Sequence, residues 1–424
     1  MSSLATTDTA SPRAGAGTLD TLGRRVILGA LRRLRRGRVV LDDRGQRTEF
    51  GDPASDRVAV VRVRDGGFYR RVALGGELGA AESFMDGQWE CDELALLIAL
   101  MIENRDALAP VSSGVLARLG SVASRLGYAL QANTRVGSRR NIAAHYDLSN
   151  EFFAQWLDPT MTYSCAVFDP PDATLEAAQT EKIDRACRKL DLRRDDHLLE
   201  IGTGWGSAAI HAARRYGCRV TTTTISGAQH DSAAARVREL GLEDRITLLK
   251  EDYRDLTGQY DKVLSIEMIE AVGQRYLDGF FRTVRERLAP DGLALIQAIT
   301  IREHRWASAA RRRDFLKKYI FPGSCLLSHH AMTRSMARTG DLRVLDSEDL
   351  GPHYAETLRR WRAAFTERLD DIRALGFDER FARMWRYYFE YCEGAFEARH
   401  CSVSQILLDR ALARRAPLPD RSGG

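Results

Sequence analysis

The run Glu200-Ile201-Gly202-Thr203-Gly204-Trp205-Gly206 is where residue types and spacing point most directly to chemistry. Glycine has no Cβ, so such a loop lets backbone come close to a bound ligand. The rival reading is a dinucleotide site, GxGxxG with an acidic residue about 20 positions further on to hold a ribose. Here the third glycine arrives one position early, and Thr224, Ile225 and Ser226 stand where that acid is needed. The acid precedes the glycines instead. Glu200 can hold the loop itself or the cationic amino-acid end of S-adenosylmethionine. A tight strand-to-helix turn with no ligand is the plain alternative.

Such a loop needs a strand before it and a helix after it. Apolar runs predict strands over His197–Ile201, Arg219–Ile225, Ile246–Leu249, Lys262–Ile266 and Leu293–Thr300. Helical periodicity falls between them, over Ser207–Tyr216, Gln229–Leu240 and Tyr276–Leu288. Alternation of this kind predicts an α/β, Rossmann-like parallel sheet with helices on both faces. The segment after Asp378, to Ala413, reads as helical and rich in aromatic residues.

The N-terminal part has a different texture. Residues 1–20 lack an apolar core and read as a disordered lead-in rather than a signal peptide. From Leu22 to Val40, apolar residues recur near helical spacing among Arg24, Arg25, Arg32, Arg33, Arg35, Arg36 and Arg38. Two readings fit: a helix lying in a bilayer interface with its arginines on lipid phosphates, or a core-packed helix with a solvated arginine face. Alternation over Arg57–Arg64, a turn at Asp65-Gly66-Gly67 and a run over Phe68–Leu74 predict two strands, with a helix around Leu94–Leu100 following. The expected divisions are a small α+β domain over 21–104, a helical connector over 105–140, the main domain over 141–413 and a disordered tail over 414–424.

Composition excludes several classes. A formal net charge of +5 on 424 residues is too small to imply nucleic-acid binding by itself. No apolar run approaches the roughly 18–20 residues of a membrane-spanning helix. The seven cysteines form no CxxC pair and no zinc spacing, which fits free thiols in a reducing cytoplasm and no metal site.

Further blocks carry a specific resemblance. They are HYDLSNEFF (145–153), YSCAVF (163–168), the glycine loop, Thr224-Ile225-Ser226 with Gln229, and EDYRD (251–255). SIEMIEAVG (265–273), KYIFPGSCL (318–326) and YCEGAF (391–396) complete the series. In this order, from about Gly51 to Leu408, the chain resembles the cyclopropane-fatty-acyl-phospholipid synthases and their mycolic-acid relatives. The resemblance implies a class I S-adenosylmethionine-dependent methyltransferase fold. It implies that Tyr163 and Ser164 close over the cofactor's amino-acid end beside Gly202 and Gly204, that Thr224 and Gln229 hold the ribose region, and that Asp252 and Tyr253 frame the adenine. It further implies an unsaturated phospholipid substrate at the inner face of the cell membrane, with the N-terminal domain assisting docking and homodimer formation.

Methylation of an alkene leaves a carbocation on the acyl chain, which must be kept from water in an apolar site. Aromatic faces stabilise it; Tyr319, Phe321, Tyr354 and the aromatic C-terminal segment are candidates. A base then removes a proton. In the resembled family a bound bicarbonate is that base, held by a Glu, a His, a Tyr and backbone around a Cys. The resemblance places Glu270, Tyr354 and Cys165 in these roles, Cys165 through its backbone and small size. The chain departs from the pattern at the histidine, where Gln297 stands, and after Glu270, where Ala271 stands. Glutamine donates hydrogen bonds to an oxyanion but carries no charge. Bicarbonate, Glu270 itself and a contribution from Glu267 stay open as the base. Lys317, Lys318 and Arg311-Arg312-Arg313 are read either as lipid-phosphate contacts or as a solvated face. Three outcomes follow: a cyclopropane product; a methylene product, made if the cation shifts before losing its proton, for a separate reductase to convert to a methyl branch; or a silent, cofactor-binding module at the membrane surface.

Overall fold

The computed structural model describes residues 18–112 and 148–414. Most of the lead-in, most of the connector, the block His145-Tyr146-Asp147 and nearly all of the tail lie outside the described residues.

The N-terminal unit is built on a four-stranded sheet of order β2-β1-β3-β4, from β1 (Arg38–Asp43), β2 (Gln46–Gly51), β3 (Val58–Val63) and β4 (Trp89–Cys91). Strands β1 and β3 run parallel and the other pairs antiparallel. Helix α1 (Thr18–Leu31) is shorter than its arginine-rich sequence predicts, because Arg38 to Val40 already belong to β1. It packs Ile27, Leu28 and Leu31 on the core and leaves Leu19 and Leu22 exposed. It lies so close to the next helix that a Cβ on Gly23 would sit 2.7 Å from the Tyr69 carbonyl oxygen. The strand expected over Phe68–Leu74 is instead the start of helix α2 (Gly67–Met85). Phe68 and Tyr69 are adjacent and both buried, which a strand with alternating faces does not allow. Helix α3 (Leu94–Glu103) matches the leucine spacing.

The main unit holds a seven-stranded sheet of order β10-β11-β9-β8-β5-β6-β7. Strands β5 (His197–Ile201), β6 (Arg219–Thr223), β7 (Ile246–Leu249), β8 (Tyr260–Ile266) and β9 (Leu288–Ile301) are parallel and follow the predicted runs. Covered on both faces, they need near-continuous apolar sequence, and four of the five residues of β5 are buried. Two antiparallel strands, β10 (Leu342–Asp349) and β11 (Cys401–Arg410), extend the sheet. The helical reading to Ala413 therefore ends early. Helix stops at Glu397, and the run after Arg399 inserts between β9 and β10, where eight of its ten residues are buried.

The aromatic C-terminal helix α4 (Glu379–Glu397) joins the two units. Its Glu390 accepts the backbone N–H of Leu94 at 3.1 Å, and its Arg386 donates to the Cys91 carbonyl at 3.0 Å. A Cβ on Gly394 would lie 2.3 Å from the Ala95 carbonyl oxygen, so only glycine permits this approach to α3. No described helix is long and apolar enough to cross a membrane.

Candidate active site

One continuous cavity of about 1880 Å³ runs from the glycine loop, past the carboxyl groups after β8, into an apolar chamber between the two units. Cofactor-end residues and N-terminal residues such as Ile27, Leu41 and Ile98 line the same space.

At the cofactor end, Gly202 and Gly204 have φ of +107° and +54°. A Cβ on Gly202 would meet Met268 at 3.1 Å, whereas one on Gly204 would meet nothing within 4 Å and project into open space. The cradle therefore has room for a ligand against its backbone. Glu200 is buried behind it, accepting a 2.6 Å hydrogen bond from Thr222, and burial pushes its carboxyl up to about 8. Thr224 donates to Gln229 at 3.1 Å. Both oxygens of Asp252 receive Arg254, whose guanidinium lies over the Tyr253 ring at 5.5 Å. Tyr163 donates its hydroxyl to Tyr388 at 2.9 Å, and Ser164 accepts Lys182. All nine residues predicted for the cofactor line this one cavity. They fit S-adenosylmethionine, with carboxyl and hydroxyl groups at one end and an aromatic wall at the other.

The second cluster is arranged differently from its prediction. Tyr354 donates to Glu267 Oε2 at 2.9 Å, Gln297 to Glu267 Oε1 at 2.8 Å, and the Cys165 backbone N–H to Oε1 at 2.9 Å. All three converge on Glu267, not on Glu270. Gln297 is held in turn by Gln405 at 3.0 Å. Glu267, its partner in the cluster, sits at a φ of +49°, which side-chain-bearing residues rarely adopt, and donates its backbone N–H to the Gln297 carbonyl at 2.8 Å. Glu270 accepts the Ile299 N–H at 2.5 Å through one oxygen; the other, Oε2, is buried with no hydrogen-bond partner among the described residues. Burial, and then the neighbouring Glu267 charge, push Glu270 up to about 8; burial likewise raises Glu267. Cys165 and Gln297 are completely buried behind this pair and do not line the cavity. The Cys165 thiol donates to the Ala166 carbonyl at 3.2 Å, and burial raises it far above an ordinary thiol. The cysteine reaches the cluster only through backbone.

Sequence reasoning missed Lys182 altogether. This lysine is completely buried and lowered to about 8 by desolvation, against the opposing charges of Glu267 and Glu200. Its setting in GlnThrGluLysIleAsp resembles an ordinary solvated helix face, so no local signal marks it. Two expected roles also fail. Tyr319 turns away from the chamber to donate to Glu82 at 3.0 Å, and Lys317 is buried, donating to the carbonyls of Ala309 and Arg312 at 2.6 and 2.9 Å. Phe321, Tyr354, Tyr388 and Phe396 do line the chamber.

Residues 133–406 match the family model for mycolic acid cyclopropane synthetase. The chain is 40% identical to tuberculostearic acid methyltransferase UfaA1 of Mycobacterium tuberculosis, over 88% of this chain and 87% of that one. It is 35% identical to the cyclopropane-fatty-acyl-phospholipid synthase of Escherichia coli, over 84% and 88%. Among solved structures, the cyclopropane synthase MmaA2 of Mycobacterium tuberculosis superposes with a TM-score of 0.60 at 31% identity, over 64% of this chain and 97% of that one. A mycolic acid cyclopropane synthase solved with S-adenosylhomocysteine aligns equally well, at the same TM-score and identity. With the glycine cradle and its buried acid already in place, these matches identify the chain as a member of the mycolic acid cyclopropane synthetase family and an S-adenosylmethionine-dependent methyltransferase.

Proposed function

We propose that the protein methylates the cis double bond of an unsaturated phospholipid acyl chain. The observation that carries this reading is the single cavity of about 1880 Å³ joining the cofactor cradle to an apolar, aromatic-lined chamber. S-adenosylmethionine supplies an electrophilic methyl. The π electrons form the new C–C bond, leaving a cation on the adjacent chain carbon. Tyr163, Ser164, Glu200, Gly202, Gly204, Thr224, Gln229, Asp252 and Tyr253 bind and orient the donor. Tyr354 and the other rings wall off water and face the cation. The carboxyl cluster after β8 receives the proton.

If a methyl C–H bond breaks and its electrons close on the cationic carbon, the product is a cyclopropane. If a hydride first moves from the methyl-bearing carbon to the cation, the same proton loss gives an exocyclic methylene, which a separate reductase would convert to a methyl branch. One observation favours the methylene: the 40% identity to a tuberculostearic acid methyltransferase, over 88% of this chain.

We place this work at the cytoplasmic membrane surface, with the N-terminal unit as the docking unit. The exposed Leu19 and Leu22 of α1 and the arginines at the chamber wall, Arg305, Arg311 and Arg312, support that placement. The test is incubation with S-adenosylmethionine and cis-unsaturated phospholipid vesicles, then gas chromatography–mass spectrometry of the released fatty acids. The expected gain is one CH₂, with retention time separating the isomers. Cofactor and vesicle binding without any gain would leave a different acceptor or the silent module.

A further inference from the structure

We infer that Glu267 is itself the proton-accepting base and that its carboxylate fills the anion site of this enzyme, so that turnover needs no dissolved anion such as bicarbonate. This inference rests on the proposed acyl-chain methylation.

The argument starts from hydrogen-bond capacity. A backbone N–H, a carboxamide N–H and a phenolic O–H converging on one point make an oxyanion-binding ring. In this protein the ring is formed by Cys165, Gln297 and Tyr354, and all three donors end on Glu267. A second anion at the same place would have to displace a covalently tethered one. It would also meet Glu270, whose unpartnered Oε2 is buried beside the cluster. Two buried carboxyl groups, one of them already taking all three donors of the ring, do not fit a bicarbonate ion at that point.

The same geometry suits Glu267 to the chemistry. An ionised carboxylate offers about four lone-pair sites. Two on Oε1 are taken by Cys165 and Gln297, and one on Oε2 by Tyr354, which leaves one on Oε2. Glu267 lines the cavity, whereas Gln297 and Cys165 lie behind it. The remaining lone pair therefore accepts the proton as the methyl C–H bond breaks and its electrons form the exocyclic C=C bond of the methylene, or the ring C–C bond of the cyclopropane. The substrate cation and the carboxylate are both neutralised in that step, and no other reactant is needed. The proton passes to water before the next turnover.

The backbone gives independent support. A non-glycine residue at a φ of +49° is strained and persists where its surroundings over-determine it, commonly at functional sites. Here the strained residue is the one on which three separate chain segments converge.

The test compares wild type, Glu267→Gln and Glu267→Gly on cis-unsaturated phospholipid vesicles, in carbon-dioxide-free buffer and with added bicarbonate or formate. Cofactor affinity and thermal melting verify folding, and glycine tolerates the backbone conformation. We expect the same wild-type rate in both buffers, a loss of about 100-fold or more in Glu267→Gln, and partial recovery of Glu267→Gly by either anion. A wild type active only with bicarbonate overturns the inference, as does Glu267→Gln within about tenfold of wild type. A folded Glu267→Gly that no anion restores overturns it as well. A wild type without lipid product in either buffer instead sinks the methylation reading itself.

Discussion

The two ends of the active-site cavity are built on opposite principles. At the cofactor end a few consecutive residues do most of the work: the strand end, the acid and the glycines lie within Glu200–Gly206, and their backbone conformation is their function. At the carboxyl end nothing is consecutive. Glu267 meets Cys165, Tyr354 and Gln297 across sequence separations of 102, 87 and 30 residues. The contrast teaches that a cradle for a cofactor can be a local property of the chain, whereas an acid–base centre is a property of the packed sheet. A local site fails through backbone changes and a dispersed one through loss of single donors.

The largest effect should come from the local end. Gly202→Val forces a side chain into a φ of +107° against Met268, and should weaken S-adenosylmethionine binding about 100-fold or more by calorimetry. If affinity is unchanged, the cradle does not hold the cofactor.

At the dispersed end, Tyr354→Phe removes one donor to Glu267 and leaves the ring. We expect kcat to fall about 10- to 100-fold while the KM for S-adenosylmethionine stays the same. A change confined to KM would move Tyr354 from the chemical step to substrate binding.

Glu270→Gln should stabilise the fold. The folded Glu270 carboxyl sits at about 8, above its unfolded value, so its ionisation opposes folding increasingly as pH rises from the carboxylate range through 8. Glutamine keeps an acceptor for Ile299 and cannot ionise, so the gain should be about 1–3 kcal/mol at pH 8 and near zero at pH 5. Urea unfolding at both pH values checks this, and a gain independent of pH would break the assignment.

The smallest effect concerns Cys165, which serves through backbone. Its thiol should resist iodoacetamide in the native protein at pH 8, as peptide mass spectrometry would show. Labelling without unfolding would mean that the cluster is open to solvent from behind.

Legibility follows the same division. The five parallel strands lie where short β-branched and apolar runs predict them, because strands covered on both faces favour such residues. The errors fall where one pattern serves two structures. Phe68–Leu74 is a short apolar run readable as strand or helix, and burial of neighbouring Phe68 and Tyr69 decided for helix. The run from Cys401 follows the aromatic helix after only a few residues in the chain but takes the place between β9 and β10. In the carboxyl cluster the residue types were visible, but which acid the donors face was not. Glu267 and Glu270 are three residues apart, and only the left-handed turn at Glu267 aims it at the ring.

By itself, then, the sequence determined a parallel α/β sheet, a glycine loop preceded by an acid, and membership of a lipid-methylating family. These depend on residues close in the chain or on blocks preserved in order. The tertiary structure decided that Lys182 and Lys317 are buried, that Tyr319 turns away from the chamber, and that the three donors serve Glu267. The physical reason is that desolvation and hydrogen-bond direction depend on which distant segments pack together, and spacing along the chain carries no record of that.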